Sequence, residues 1–258
     1  MIFRNIFFSA LFVGVISGLV YSVFQQAQLS PIIYAAEKFE MQEAEIKSKA
    51  KIKHDDENSQ TNHQHDDTVW TPKDGNERLV WTIVANVLTG ISFALVMLSL
   101  MAVHNLKSHK PKVDALQGIG WGAVGVLTIF VAPALVGLHP EVPGTITAAL
   151  ENRQAWWLFA VIATIVGVAV LYYAPLKIKG LGVIIAILPQ LAALPMAKSL
   201  VFENTNPIAV ASLNELSHQF FSLTAIGTTL FFIILGVASG YAMEKFIKIE
   251  SVLGYGTK

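Results

Sequence analysis

Six long apolar segments follow one another along the chain, separated by shorter polar stretches. They cover residues 5–26, 79–103, 116–138, 155–174, 181–197 and 220–243. An α-helix needs about 20 apolar residues to cross the hydrocarbon core of a bilayer, which is ~30 Å thick. The pattern predicts an all-α fold: a polytopic integral membrane helix bundle with six transmembrane helices, in which residues 1–258 form a single membrane domain.

Two of these segments allow a second interpretation. The fifth contains Pro189 and Pro195, and each proline removes a backbone donor and disfavours a straight helix. A kinked or re-entrant fifth segment, and hence five crossings, remains the alternative. The first segment begins like a signal peptide, with Arg4 before an apolar run. Its length and the lack of a clear cleavage site favour a retained helix.

Small residues recur at a spacing of four within three of the segments. They are Ala10, Gly14, Gly18 and Ser22 in the first, Gly118 and Gly122 in the third, and Gly236 and Gly240 in the sixth. Such residues lie on one helix face and let two membrane helices approach closely. We therefore expect these faces to pack against other helices, although glycine is also simply common in membrane helices.

A polar stretch over residues 27–77 separates the first two segments and is predicted to be an extramembrane loop inserted between the first two transmembrane helices. Of the 18 Asp and Glu residues in the chain, 11 lie in residues 37–77, whereas residues 38–78 hold only seven Lys and Arg. The loop is therefore acidic although the whole chain is neutral. Glutamates and lysines at helical spacing in residues 37–53 predict a short exposed helix where the chain leaves the membrane.

The same loop carries a dense group of candidate metal ligands. His63, His65, Asp66 and Asp67 are close neighbours, and His54 precedes them. Neutral imidazole nitrogen and carboxylate oxygen are ligands that borderline ions such as Co²⁺, Ni²⁺ and Zn²⁺ accept. We expect this group to bind a divalent cation. A solvated acidic linker with incidental histidines is the competing interpretation.

A second pair of candidate ligands follows the third segment, in the sequence GLHPEVPG. His139 and Glu141 flank Pro140 there. Proline fixes part of the backbone, so the two side chains can be held toward one point. An ordinary surface loop is the plainer interpretation.

The sequence WTPKDGNER leads into the second segment and is predicted to be an elbow at the membrane interface. Trp70 suits that interface, and Asp74 with Gly75 is a turn signal. Reception of an ion by Asp74 and Glu77 is the alternative. Deeper in the spans, Asn86 and Gln190 are the most polar side chains, and such groups either bond neighbouring helices or line a path.

Positive charge near the ends of the segments predicts the orientation. With a cytoplasmic N-terminus, the inner segments carry Arg4, Lys107, Lys110, Lys112, Lys177, Lys179, Lys245, Lys248 and Lys258. The short outer loops carry only Arg153 and Lys198. Because short cytoplasmic loops are rich in Lys and Arg, we expect both termini in the cytoplasm and the histidine-rich loop outside. His139 and His218 then also lie on the outer face.

Composition and motifs exclude several classes of function. The chain has no cysteine, so disulfides, thiolate metal sites and cysteine nucleophiles are absent. It has no basic patch for nucleic acid, so no nucleic acid partner is expected. It also lacks the HExxH, GxSxG, P-loop and dinucleotide-binding motifs, so we expect no enzymatic activity.

Several stretches of the sequence occur in the same order as the motifs of one known family. They are SALFVGVISGL (9–19), LSPIIYAAEKFE (29–40), HQHDD (63–67), WTPKDGNER (70–78), ANVLTGISFAL (85–95), APALVGLHPEVPG (132–144), ENRQAWW (151–157) and LPQLAALP (188–195). Together they resemble the CbtA family of predicted bacterial cobalt transporter subunits. The resemblance covers nearly the whole chain, and the stretches around residues 63–78 and 137–144 are its most specific parts.

The resemblance implies an inner-membrane protein that takes up Co²⁺, supplies cobalamin synthesis and acts with CbtB, a small single-span protein with a histidine-bearing terminus. It implies metal binding by His63, His65, His139 and Glu141. Gln190 replaces a histidine expected there. No tightly bound cofactor is expected, with Co²⁺ as the transported ion, and a homo-oligomer stays open. The alternatives are a nickel or zinc transporter subunit, or a metal-binding or sensing module without transport.

Overall fold

The protein is built from α-helices joined by short irregular segments. The computed structural model describes residues 2–52, 70, 72–107, 113–191 and 201–247. Its helices are α1 (Ile2–Phe24), α2 (Ser30–Ile52), α3 (Asn76–Lys107), α4 (Ala115–Val126), α5 (Ala132–Leu135), α6 (Leu150–Tyr173), α7 (Lys179–Leu191) and α8 (Pro207–Lys245). Within these residues there is no strand, only an isolated antiparallel bridge between Thr145 and Phe202.

The lengths and apolar composition of the helices confirm the predicted membrane bundle. In the described ranges five helices are long and apolar enough to cross a membrane: Ile2–Ile46, Asn76–Lys107, Ala115–Leu135, Leu150–Tyr173 and Pro207–Lys245. The π-helical turn Gln25–Leu29 joins α1 to α2, and the π-helical turn Leu127–Val131 joins α4 to α5. The helix predicted over residues 37–53 is therefore a continuation of the first span.

The fifth apolar segment connects opposite ends of the bundle even though α7 is short. At about 1.5 Å per residue, the 13 residues of α7 rise ~20 Å, and the helix includes Pro189. It starts beyond the C-terminal end of α6, whereas Phe202 pairs with Thr145, which precedes the N-terminal end of α6. Lys179 and Phe202 therefore lie at opposite ends of α6, as six crossings would require. Pro195 lies outside the described residues.

The two ends of the bundle can be told apart by the chain termini. The side-chain amide of Asn5 donates a hydrogen bond of 2.9 Å to the carbonyl oxygen of Phe246, so both ends of the described chain lie together. We call this the terminal end. The opposite end, which carries Thr145 and Phe202, we call the loop end. An even number of passages requires this placement of the termini.

Small residues make the closest helix contacts, as their spacing predicts. A Cβ atom added to Gly18 of α1 would lie 2.6 Å from the Cα of Val87 in α3. A Cβ atom added to Gly118 of α4 would lie 2.8 Å from the carbonyl carbon of Gly236 in α8. Because both distances are too short for real atoms, these helix pairs depend on glycine for their separation. Close backbone approach of this kind is a main source of helix association in lipid.

Asn86 bonds two helices together, which is one of the two roles predicted for it. Its amide nitrogen donates to the hydroxyl oxygen of Ser22 at 3.1 Å and to the side-chain oxygen of Gln25 at 2.7 Å. Gln25 begins the first π-helical turn. Gln190 differs, because its amide nitrogen donates a hydrogen bond of 2.9 Å to the carbonyl oxygen of Ile187 within its own helix.

A separate small apolar core lies at the loop end. Its buried members are Ile32 and Ala36 from α2, Val142, Phe202, and Leu213 from α8. This core fixes α2 and the first turns of α8 against the segment that contains His139 and Glu141. The loop end is therefore a packed layer of protein, and it positions the candidate site.

Candidate functional site

The five candidate ligands of the first loop lie outside the described residues. They are His54, His63, His65, Asp66 and Asp67. The residues that flank them are placed, however: α2 packs at the loop end against Val142 and Leu213, and α3 starts there after Gly75. Residues 53–69 are therefore connected to the bundle on the side of its loop end.

Arg78 holds the two flanks of this loop together. Its guanidinium contacts a carboxylate oxygen of Glu37 in α2 at 2.6 Å and one of Asp74 at 3.2 Å. It also lies over the ring of Tyr34, 4.9 Å from the ring centre. Trp70 packs edge-on against Trp81, with ring centres 5.4 Å apart. These contacts support the interfacial elbow, and they engage Asp74 with an arginine.

The segment after α5 is fixed by its own turns and by the loop-end core. Gly137 and Gly144 have φ angles of 90° and 80°, a backbone conformation that favours glycine. Val142 between them is buried in the loop-end core, and its carbonyl oxygen accepts a hydrogen bond of 2.8 Å from the Thr145 hydroxyl. His139 and Glu141 therefore project from a backbone that is held on both sides.

His139 lines a cavity at the loop end of the bundle. The cavity is about 350 Å³ and is lined by apolar side chains and by five residues with polar groups, which are His139, Arg153, Gln154, Trp157 and Thr224. The imidazole is exposed and packs edge-on against Phe221 of α8, with ring centres 5.2 Å apart. The side-chain oxygen of Thr224 is buried and has no hydrogen-bond partner.

Glu141 pairs with an arginine from the first turn of α6. The Nη2 atom of Arg153 lies 2.6 Å from the Oε2 atom of Glu141, and about a quarter of each side chain is exposed. Burial raises the pKa of the Glu141 carboxyl above its usual value, although the positive charge of Arg153 acts in the opposite direction. The pair therefore joins the His139 segment to α6, beside the cavity.

Of the predicted ligands, the described residues include two, His139 and Glu141, which lie two positions apart on one segment. The described part of the chain contains no group of three or more His, Asp or Glu side chains placed to hold a metal ion. His139 and Glu141 share one segment, so a cation bound by both would take its other ligands from water or from elsewhere. The sequence did not predict the pairing of Arg153 with Glu141 or the place of Thr224 beside the cavity, because contacts between separate elements leave no local signal. In the sequence, Arg153 was only one of the positive charges of the outer loops.

Comparison with known families identifies the chain over almost its whole length. Residues 3–244 match the family described as probable cobalt transporter subunit, CbtA. The chain belongs to the CbtA family. Searches of curated proteins and of solved structures gave no match. Membership confirms the resemblance read from the motifs and favours transport over catalysis. The description as a subunit implies a partner, and the apolar spans imply a lipid bilayer.

Proposed function

We propose that the protein is the membrane subunit through which Co²⁺ enters the bacterial cytoplasm, where it supplies cobalamin synthesis. The observation that carries the proposal is the meeting of three features at one end of a CbtA bundle. Both flanks of the acidic histidine loop, the His139 and Glu141 segment, and the cavity all lie at the loop end. In the proposed orientation this end faces outward, as the positive charge at the other end favours.

The loop and the cavity have different tasks in this proposal. His54, His63, His65, Asp66 and Asp67 collect hydrated Co²⁺ and raise its concentration at the outer surface. His139 and Glu141 then receive the ion at the mouth of the bundle. Imidazole favours Co²⁺ over Mg²⁺ and Ca²⁺, which prefer oxygen ligands. A CbtB-like protein with a histidine-bearing terminus is the proposed partner.

The energy for uptake has a simple source. Moving one charge across a membrane potential is worth about 2.3 kcal/mol per 100 mV, so a divalent cation gains about 4.6 kcal/mol per 100 mV by moving inward. The chain carries no nucleotide-binding motif of the P-loop type. The membrane potential is therefore the proposed driving force for this subunit.

Accumulation of radiolabelled Co²⁺ tests the proposal directly. Cells that express the chain with its partner should accumulate Co²⁺ above cells without it, and a protonophore should abolish the difference. Accumulation of radiolabelled Ni²⁺ and Zn²⁺ is measured in the same cells, because imidazole and carboxylate bind these ions as well. Accumulation of Ni²⁺ or Zn²⁺ above that of Co²⁺ would favour the nickel or zinc alternative, and binding without accumulation would favour a metal-binding or sensing module.

Two variants separate collection of the ion from its passage. Deletion of residues 54–67 should reduce uptake mainly at scarce Co²⁺, because a flexible ligand group raises local concentration and added metal replaces it. His139→Ala should lower the maximal rate even at saturating Co²⁺. The protein abundance in the membrane must be equal in all strains. The same concentration dependence for both variants contradicts the two-step scheme.

A further inference from the structure

The Arg153–Glu141 ion pair sits where the proposed function needs a free carboxylate. Arg153 approaches Glu141 to 2.6 Å, and the same arginine lines the cavity with His139. In the structure the carboxylate is thus already occupied by a positive charge that belongs to the protein. A cation that binds Glu141 must share this carboxylate with the guanidinium or displace it.

We propose that Arg153 is a specificity-determining residue: its guanidinium occupies Glu141 until a divalent cation with affinity for imidazole displaces it. This inference rests on the proposed function. A half-buried carboxylate needs a compensating partner, which can be a proton, an arginine or a metal ion. Arg153 fills that need when no metal is bound, and so it keeps ions of weak affinity out.

The charges and ligands explain which ions can displace the arginine. A monovalent cation carries no more charge than the guanidinium and lacks its paired N–H donors, so it gains little by replacing it. Mg²⁺ and Ca²⁺ carry two charges but bind imidazole weakly. Co²⁺ carries two charges and also accepts the nitrogen of His139, two residues before Glu141.

The cavity gives the displaced guanidinium a place to go. Arg153 already lines this space of about 350 Å³. A guanidinium that leaves Glu141 can turn into this space, which is wide enough for water to hydrate its N–H groups.

The test compares Arg153→Gln with wild type in Co²⁺ uptake, at equal membrane abundance. Loss of the competing charge should lower the half-saturating Co²⁺ concentration about 1.4-fold to fivefold, the range that a partly exposed ion pair allows. Excess Mg²⁺, which should not inhibit the wild type, should inhibit Arg153→Gln. Arg153→Lys should keep the exclusion of Mg²⁺, because it keeps the charge.

Two further variants separate this role from a structural one. In the Glu141→Gln background, Arg153→Gln should have no additional effect on Mg²⁺ inhibition, because the contested carboxylate is gone. Glu151→Gln removes an exposed carboxylate from the same turn of α6 and should leave uptake unchanged. Unchanged Co²⁺ dependence and continued resistance to Mg²⁺ in Arg153→Gln overturn the inference, as does a higher half-saturating Co²⁺ concentration.

Failure of the proposed function can be recognised separately. If the wild-type protein and its partner accumulate no Co²⁺, the transport proposal fails, and Co²⁺ binding by the purified chain then tests Arg153. Binding is measured by calorimetric titration in a chain whose loop histidines are changed to alanine, so that the loop adds no Co²⁺ binding of its own. These histidines are His54, His63 and His65. In this background, the protein with Arg153→Gln should bind Co²⁺ more tightly than the protein that keeps Arg153. Equal or weaker binding contradicts the inference.

Discussion

Substitution of Gly118 by alanine should destabilise the packing of α4 against α8. A Cβ atom on Gly118 would lie 2.8 Å from the carbonyl carbon of Gly236 and 3.0 Å from the Cα of Val237. Both neighbours are backbone atoms, which cannot turn aside as a side chain can. Gly118→Ala must therefore push the two helices apart, and an overpacked site of this kind costs about 1–3 kcal/mol.

Gly120→Ala is the matched control within the same helix. A Cβ atom there meets nothing within 4 Å, so the added methyl group should cause no clash. Both substitutions raise helix propensity by about 0.8–1.0 kcal/mol, so this contribution cancels when the two variants are compared. The difference between them isolates the helix contact, and it should be about 1–3 kcal/mol.

Thermal unfolding of the purified protein in detergent measures this difference. For chains of roughly this size, each 1 kcal/mol shifts the midpoint by about 2–4 °C, so Gly118→Ala should unfold several degrees below Gly120→Ala. Equal scan rates are needed because membrane proteins often unfold irreversibly. Equal midpoints would refute the inference that the Gly118–Gly236 approach supports the bundle.

Three more outcomes follow from the same structure. Thr147→Cys, an exposed position at the loop end, should react with a membrane-impermeant thiol reagent in intact cells, whereas Lys177→Cys at the terminal end should react only after lysis; the reverse result would invert the proposed orientation. Arg78→Ala should lower the stability by about 1–2 kcal/mol, because Glu37 loses a partly exposed ion pair and Tyr34 a cation–π contact; an unchanged unfolding midpoint would show that the elbow does not depend on Arg78. A peptide of residues 53–71 should bind Co²⁺ above pH 7 and release it below about pH 6 in titration calorimetry, because imidazoles with a pKa near 6.5 take up protons; binding that ignores the pH would show that its histidines are incidental.

The sequence alone determined the membrane bundle and its family. Long apolar runs have no stable place except in lipid, and helices satisfy their backbone groups internally, so length and hydropathy suffice to predict the spans. Glycines four residues apart predicted helix contacts, and Gly118 proved to face Gly236. The candidate ligands His139 and Glu141 could also be named, because imidazole and carboxylate chemistry is local to the residue.

Only the tertiary structure decided what surrounds those ligands. Glu141 is separated from Arg153 by the start of α6, and Thr224 lies on a helix far along the chain, so no sequence spacing relates them. The positions of these three residues depend on how α5, α6 and α8 pack. Burial raises the pKa of Glu141, and the charge of Arg153 opposes that change. The position of Phe202, which follows the fifth segment, was likewise decided by its pairing with the distant residue Thr145. Contacts across helices arise from the summed packing of many side chains, and local patterns carry no record of them.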